Sequence, residues 1–447
     1  MGRLKAVWQR FREIVRGMHP AKLAFLGYLS YILVGWLLLS LPFAQNGPAV
    51  GALDNAFIAT SAVSTTGLVT VSVADRYTPF GQAIVMLLIQ FGGVGYMTFG
   101  SFIILARRAE LTDVRAAVGQ TVFSMPASFR IDKFIRSVVK FTLVIELAGA
   151  AALYVLLRKA GVADPLWSAV FHSVSAFCTA GFSLYNTSFE AFADNFWVNL
   201  VLAALSYLGA VGFIVCVDVW RMLRGKVAHT TLTTRIILWA TLWMTVVGTA
   251  LLFLGEPSIQ ARPVDRRLMA AFFQAMTSMT TVGFNTISVA GLSKASLLLV
   301  IVLMVVGASP SGTGGGLKCT TFSAILGVMR SIIRGEQEVR FWGRPVPPER
   351  VWTAVAGLGF YLAFLVMGTY LLEMTESSAF DENLFEAASA LGTVGLSMGI
   401  TASLSVLGKM VVIFLMFCGR LGPLTFGMAL FFRRGLAAAV QDADLAV

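Results

Sequence analysis

Four stretches of this sequence share a small-residue motif whose main-chain oxygens could hold a bare alkali cation. They are STTGL at 64–68, CTAGF at 178–182, TTVGF at 280–284 and GTVGL at 392–396. Glycine allows backbone angles that point successive carbonyls one way without a Cβ collision. A ring of such carbonyls can replace the hydration shell of a potassium ion. The oxygens would come from Thr65, Thr66 and Gly67, from Thr179, Ala180 and Gly181, from Thr281, Val282 and Gly283, and from Thr393, Val394 and Gly395. The loops differ at the residue before the glycine (Thr66, Ala180, Val282 or Val394), which predicts fewer equivalent ion sites than in a filter of four identical loops.

Aligning on the glycine tests whether these loops belong to one repeat. The glycines recur at roughly 100–115 residues, the kind of period that marks an internal repeat. Two residues upstream stands Thr65, Thr179, Thr281 or Thr393; six upstream, Ser61, Ser175, Thr277 or Ser389; ten upstream, Phe57, Phe171, Phe273 or Phe385. Phenylalanine supplies 34 of 447 residues, so three further coincidences in that column have odds of about one in two thousand. Positions six and ten upstream lie four apart, on one face of a helix. Each loop is therefore preceded by a short helix of about a dozen residues, too short to cross a bilayer.

The elements that must position these loops are long apolar runs. Hydrophobic residues make up 57% of the chain and charged ones only 13%, against about 25% charged in soluble domains. Segments 24–43, 83–106, 134–157, 196–220, 236–254, 296–306, 351–374 and 409–432 read as eight spans, most reaching the roughly 20 residues a hydrocarbon core requires. One of them, at 296–306, is interrupted. The expected fold is an all-α membrane protein: eight transmembrane helices as four pseudo-repeats of span, re-entrant pore helix, filter loop and span around a central pore. Non-helical backbone at membrane depth must line a water-filled cavity or be buried in protein. Short helices aiming their C-terminal ends at the axis would favour cations there.

The expected organisation is a basic cytoplasmic segment 1–22, pore repeats 23–108, 109–226, 227–345 and 346–435, and a tail 436–447. The net charge of +11 would suit nucleic acid, but its distribution argues for a membrane and against nucleic acid. Arg3, Lys5, Arg10, Arg12, Arg16 and Lys22 crowd the head. Arg107, Arg108, Arg115, Arg130 and Lys133, then Arg221, Arg224 and Lys226, then Arg330, Arg334, Arg340, Arg344 and Arg350 fill alternate loops. Positive loops stay cytoplasmic, so both termini are expected inside. Arg262, Arg266 and Arg267 on the opposite side are the exception. No cleavable secretory signal is read at the start.

Other chemistries fit poorly. His19, His172 and His229 lie in unrelated elements, no acid pair has catalytic spacing, and Cys178, Cys216, Cys319 and Cys418 read as packing residues within the membrane. The chain is not expected to be an enzyme or to hold a cofactor. The stretch GASPSGTGGGLK at 307–318 fails as a P-loop because Leu317 separates Gly316 from Lys318, and as a nucleophile elbow because Pro310 and Ser311 both follow Ser309. A larger-solute transporter would show two inverted halves, whereas four parallel units recur here.

The T-x-G loops, the four units in one chain and their spacing resemble the Trk/Ktr/HKT superfamily of cation transporters over nearly the whole sequence. The short basic head resembles the bacterial KtrB subgroup more than TrkH. The resemblance implies potassium uptake across a bacterial inner membrane, with the loop glycines as selectivity residues; Gly67 departs from the serine of sodium-preferring plant relatives. It also implies that 307–316 is an intramembrane gating loop containing Gly312, Gly314, Gly315 and Gly316, with Lys318 just after it as a further gating residue and Arg420 facing the pore beneath the filter. A charge at that depth costs at least roughly 2.5–3.5 kcal/mol and marks function by default. The partners implied are a second copy of the chain, membrane lipid and a cytosolic KtrA-like or TrkA-like ring, which alone would carry nucleotide. Alternatives left open are sodium dependence, sodium or poorly selective monovalent cation transport, and proton-coupled potassium symport. Glu146 and Glu386 are expected to pair with a cation or to stabilise a neighbouring loop. Glu386 resembles family acids behind the filter, which implies a structural role rather than ion contact. Asp218 is expected to be an interfacial helix-end charge and His172 a packed, hydrogen-bonded histidine.

Overall fold

The computed structural model describes residues 20–94, 131–225, 227–307, 309–310 and 312–431. Residues 1–19 of the basic head, the arginines at 107–130, Lys226 and the tail lie outside the described residues. In the first unit α1 is Pro20–Leu39, α2 Ala52–Ser64 and α3 Pro79–Val94. In the second, α4 is Ile131–Lys159, α5 Pro165–Phe177, α6 Phe196–Val211 and α7 Phe213–Leu223. In the third, α8 is Leu232–Gly255, α9 Val264–Thr280, α10 Lys294–Val305 and α11 Cys319–Ile333. In the fourth, α12 is Pro348–Thr375, α13 Phe380–Gly392, α14 Val406–Leu421 and α15 Pro423–Phe431. An antiparallel hairpin, β1 (Arg340–Phe341) and β2 (Arg344–Pro345), joins the last two units.

The first helix of every unit is long and apolar enough to cross a membrane: Ala21–Leu39, Ser137–Lys159, Leu232–Gly255 and Pro348–Thr375. Their outer faces carry exposed Leu37, Val144, Leu147, Trp243, Leu254 and Val366. A belt of this kind is a liability in water and the expected surface in lipid. Two bent pairs are further candidates, α6 with α7 at 98° and α14 with α15 at 97°. The apolar helices α3, α10 and α11 are shorter, and α3 reaches Val94, where the described residues of that segment stop.

The bent pairs correct one expectation. The sequence reading placed a single interruption, at 307–318, but the second helix of units two and four is broken as well. The breaks fall at Gly212 (φ 91°, ψ 155°) and Gly422 (φ 83°, ψ 129°), conformations closed to residues with a Cβ. A single glycine inside an apolar run is tolerated in a helix, so neither break stands out in one dimension. At Gly212 the surroundings are tertiary: the end of α6 presents carbonyls, and the 307–318 segment occupies the space a side chain would need, with Pro310 O at 2.9 Å from where a Cβ would stand.

The short helices α2, α5, α9 and α13 form the centre, with Phe57, Phe171, Phe273 and Phe385 all fully buried. Acids stand at their N-terminal ends: Asp54, Asp265, Asp381 and Glu382 in first turns and Asp164 at a cap. These charges complement the positive helix ends. The opposite, negative ends point inward. The outer arginines also find partners, since Arg266 pairs with Asp194 and Arg267 Nε donates to Arg262 O at 2.7 Å. Asp218 does more than sit at an interface: it accepts from Thr231 N (2.8 Å) and Thr234 Oγ1 (2.7 Å) at the start of α8.

Candidate functional site

Each central helix ends in the same way. The threonine two before the glycine takes a left-handed conformation, with φ of 54° at Thr65, 49° at Thr179, 59° at Thr281 and 51° at Thr393. The next residue then donates its N–H back to the carbonyl six before the glycine: Thr66 to Ser61 and Ala180 to Ser175 at 2.8 Å, Val282 to Thr277 at 3.2 Å, Val394 to Ser389 at 2.9 Å. This is a Schellman cap, normally closed by glycine. A β-branched residue there costs roughly 1–2 kcal/mol. Four-fold repetition of a costly choice points to a use for the threonine oxygens.

The hydroxyl column six upstream ties the loop down. Ser61 Oγ accepts from Gly67 N and Ser389 Oγ from Gly395 N, both at 3.1 Å. In the other two units the bond reverses: Ser175 Oγ donates to Phe182 O at 2.8 Å and Thr277 Oγ1 to Phe284 O at 2.6 Å. Each clamp holds the glycine between a helix end and its own side chain.

The four glycines, all at positive φ (95°, 66°, 78° and 93°), face one another in chain order. A Cβ on Gly67 would overlap the carbonyl oxygen of Ala180, one on Gly181 that of Val282, one on Gly283 that of Val394, and one on Gly395 that of Thr66. The circuit runs one, two, three, four and back to one. Main-chain oxygens of the residues before the glycines therefore crowd a common axis, where only glycine leaves them room.

Outward of the ring lies a cavity of about 560 Å³ whose walls include Asp75, Glu190, Ser183, Asn285 and Ser397, with no lysine or arginine among the described residues that line it. Asp75 accepts from Asn186 Nδ2 at 2.9 Å and Glu190 from Asn285 Nδ2 at 2.8 Å. Such a mouth concentrates cations.

On the other side of the ring the 307–318 segment passes beneath all four threonines. Thr313 O accepts from Thr65 Oγ1 at 3.3 Å, and Thr313 Oγ1 lies 3.0 Å from Thr179 Oγ1. Gly315 N donates to Thr393 Oγ1 at 2.9 Å, and Gly307 lies against the Thr281 methyl. Carbonyls at the ends of the broken helices hold the segment: Ala210 O accepts from Ser309 N at 3.2 Å, Gly209 O from Thr313 N at 3.1 Å, and Gly419 O from Gly316 N at 3.3 Å. Gly312 packs against Ala210 O, where a Cβ would not fit. Lys318 Nζ donates to Gly314 O at 2.8 Å. The Arg420 guanidinium donates to Thr313 O, Thr65 Oγ1 (2.9 Å) and Gly92 O, bolting the segment to units one and four.

The sequence reading thus named residues that the fold brings together, and it missed two sets. Thr313, fully buried, touches the other three units and lay unnoticed among the glycines around it. Gly92, Gly209 and Gly419 let α3, α6 and α14 press against the last carbonyls of the central helices, those of Val63, Phe177 and Leu391. A second column of glycines, 24 to 28 residues after the first, was available as a signal. Glu146 accepts from Gln90 Nε2 at 3.2 Å and lies 3.7 Å from Cys178 Sγ, behind the second loop.

The TrkH family, described as a cation transport protein, matches residues 32–434. The chain is 34% identical to the Ktr system potassium uptake protein B of Vibrio alginolyticus over 425 residues, 94% of this chain and 92% of that one. It is 32% identical to the potassium/sodium uptake protein NtpJ of Enterococcus hirae over 437 residues, 96% of each. Among solved structures, the potassium transporter TrkH from Vibrio parahaemolyticus superposes with a TM-score of 0.73 at 21% identity, covering 91% of this chain and 84% of that one. That last likeness is one of fold.

Proposed function

The chain belongs to the TrkH family of cation transporters, which are not enzymes, and on that premise we propose that it takes up potassium across the cytoplasmic membrane of a bacterium. The dehydrated ion binds the main-chain oxygens of Thr65 to Gly67, Thr179 to Gly181, Thr281 to Gly283 and Thr393 to Gly395. The observation that carries this reading is the closed circuit in which each filter glycine abuts the carbonyl of the next unit. Carbonyl dipoles in that number and order can stand in for lost water.

Passage is gated by the segment around Gly312, Gly314, Gly315, Gly316 and Lys318. Its hydrogen bonds to three of the four filter threonines support a closed arrangement, with Arg420 as the bolt and as a positive charge facing the ion path. Opening requires this segment to move, and a cytosolic nucleotide-binding ring acting on a pore dimer supplies the work. The relatives named for Ktr system potassium uptake support the ion. Arg221, Arg224, Arg330, Arg334, Arg340, Arg344 and Arg350 face the cytoplasm under the positive-inside rule, and both termini lie on that side. The Enterococcus relative named for potassium and sodium favours a second reading, in which sodium also passes or is required.

Growth of a bacterium lacking its own potassium uptake, in low potassium, tests the proposal. The chain with a suitable partner restores growth, and Gly67→Ser shifts preference towards sodium. No restoration with a partner that supports other relatives would overturn the potassium reading.

A further inference from the structure

Nine residues before each filter glycine, the four units place Ile58, His172, Gln274 and Glu386. Two of these unlike side chains do the same thing. His172 Nε2 lies 3.1 Å from Ser183 Oγ, and Glu386 Oε2 accepts from Ser397 Oγ at 2.8 Å. Ser183 and Ser397 are both the second residue after their glycine, on the wall of the outer cavity. Both anchors are fully buried.

The surroundings fix each anchor. Leu184 N donates to His172 Nε2 at 3.1 Å, so that nitrogen is an acceptor and the proton sits on Nδ1, which donates to Ser168 O at 2.8 Å. Tyr185 stacks on the imidazole with centroids 4.8 Å apart. Glu386 Oε1 also accepts from Thr401 Oγ1, which in turn lies 3.0 Å from Ser397 Oγ. The other two units lack the device. Ile58 has no polar atom to offer and the residue two past its glycine is Val69, while both amide atoms of Gln274 are buried without a hydrogen-bond partner. Because the circuit of glycines runs in chain order, units two and four stand diagonally across the axis.

We propose that His172 and Glu386 are positioning residues for ion selectivity, holding the outer ends of the second and fourth filter loops through Ser183 and Ser397. The inference rests on the carbonyl-ring reading above and adds to it an unequal division of labour. One diagonal pair of loops is tethered on both sides of its glycine, by the clamp six residues upstream and by the anchor nine upstream. The other pair lacks this anchor: the first loop has only the clamp, and in the third Asn285 is held from the neighbouring second unit, by Glu190 and by Phe189 N at 3.0 Å. A loop held at both ends keeps its carbonyls at the spacing a potassium ion needs and resists closing around the smaller sodium ion.

The test measures rubidium-86 uptake in cells lacking their own potassium uptake, and compares the concentrations of sodium and of potassium that halve it. This ratio is independent of the amount of protein. Glu386→Ala and His172→Ala lower the preference for potassium at least fivefold. Ser397→Ala and Ser183→Ala, truncations at part-exposed sites that leave the core intact, lower it comparably. The pair Glu386→Ala with Ser397→Ala is no worse than either alone, as expected for one shared contact. Glu386→Gln, which can bond both hydroxyls without charge, retains most of the preference. Gln274→Leu leaves the ratio unchanged. Wild-type ratios in both serine variants would overturn the proposal, as would additive losses in the double variant. A Gln variant as impaired as the Ala variant would replace the tether by a role for charge. Failure of the unmodified chain to discriminate at all would instead sink the filter reading itself.

Discussion

Thr313→Val isolates the hold that the intramembrane segment has on the filter. The exchange keeps shape and volume while deleting the Oγ1 bonds to Phe177 O (3.1 Å) and Thr179 Oγ1 (3.0 Å). Thr179 keeps a partner in Cys178 O at 2.8 Å, so the loss falls mainly on the segment and on the end of α5. Each bond contributes about 1 kcal/mol net. On the proposed gating, together they bias the closed arrangement by about 2 kcal/mol, or roughly thirtyfold in population. A pathway open about 1% of the time would then be open nearly a quarter of the time. The assay is rubidium-86 flux into proteoliposomes holding the purified chain, with thermal unfolding followed in parallel. Basal flux should rise ten- to thirtyfold while the melting temperature moves by a few degrees at most. Unchanged flux in a variant that folds normally would refute the idea that Thr313 helps keep the path shut.

Gly283→Ala would place a methyl group on the Val394 carbonyl at a φ of 78°. Potassium uptake in the rescue strain should fall by at least tenfold, and near-normal selective uptake would mean that the carbonyl circuit is not the filter. Glu256, just past α8, gives a pH signature. Burial alone would raise its carboxyl, but hydrogen bonds from Ser258 and the Ser293 turn lower it from 4.5 to about 2. A depressed pKa gives stability that is present above the ordinary value and fades as pH falls from about 5 towards 2. Glu256→Gln should therefore lower the melting temperature at pH 7 and lessen its fall between pH 5 and 3; parallel curves for the two proteins would remove the carboxylate from the account.

Much of the site could be read in one dimension because it is periodic. A four-fold repeat writes its key positions four times, so Gly67, Gly181, Gly283 and Gly395 and their threonines stand out from single-copy background. Features present once were harder. Thr313 acts alone, and nothing in its neighbours distinguishes it from the residues around it. His172 and Glu386 share a column, yet the chemical identities there differ, so the common task shows only when both are seen to hold the second residue past the glycine.

The sequence by itself determined that the chain lives in lipid, that it is built of four like units, and which backbone stretches cannot be helical. Those follow from local rules: hydropathy over about 20 residues, glycine and threonine at fixed offsets, and the ban on unsatisfied backbone in hydrocarbon. Only the tertiary structure decided that α6 and α14 also break, at Gly212 and Gly422. It alone decided that the carbonyls of Gly209, Ala210 and Gly419 at those helix ends receive N–H groups of Ser309, Thr313 and Gly316. Two irregular segments from different units satisfy each other there. A hydrogen-bond debt settled across about a hundred residues of chain leaves no pattern in either stretch alone.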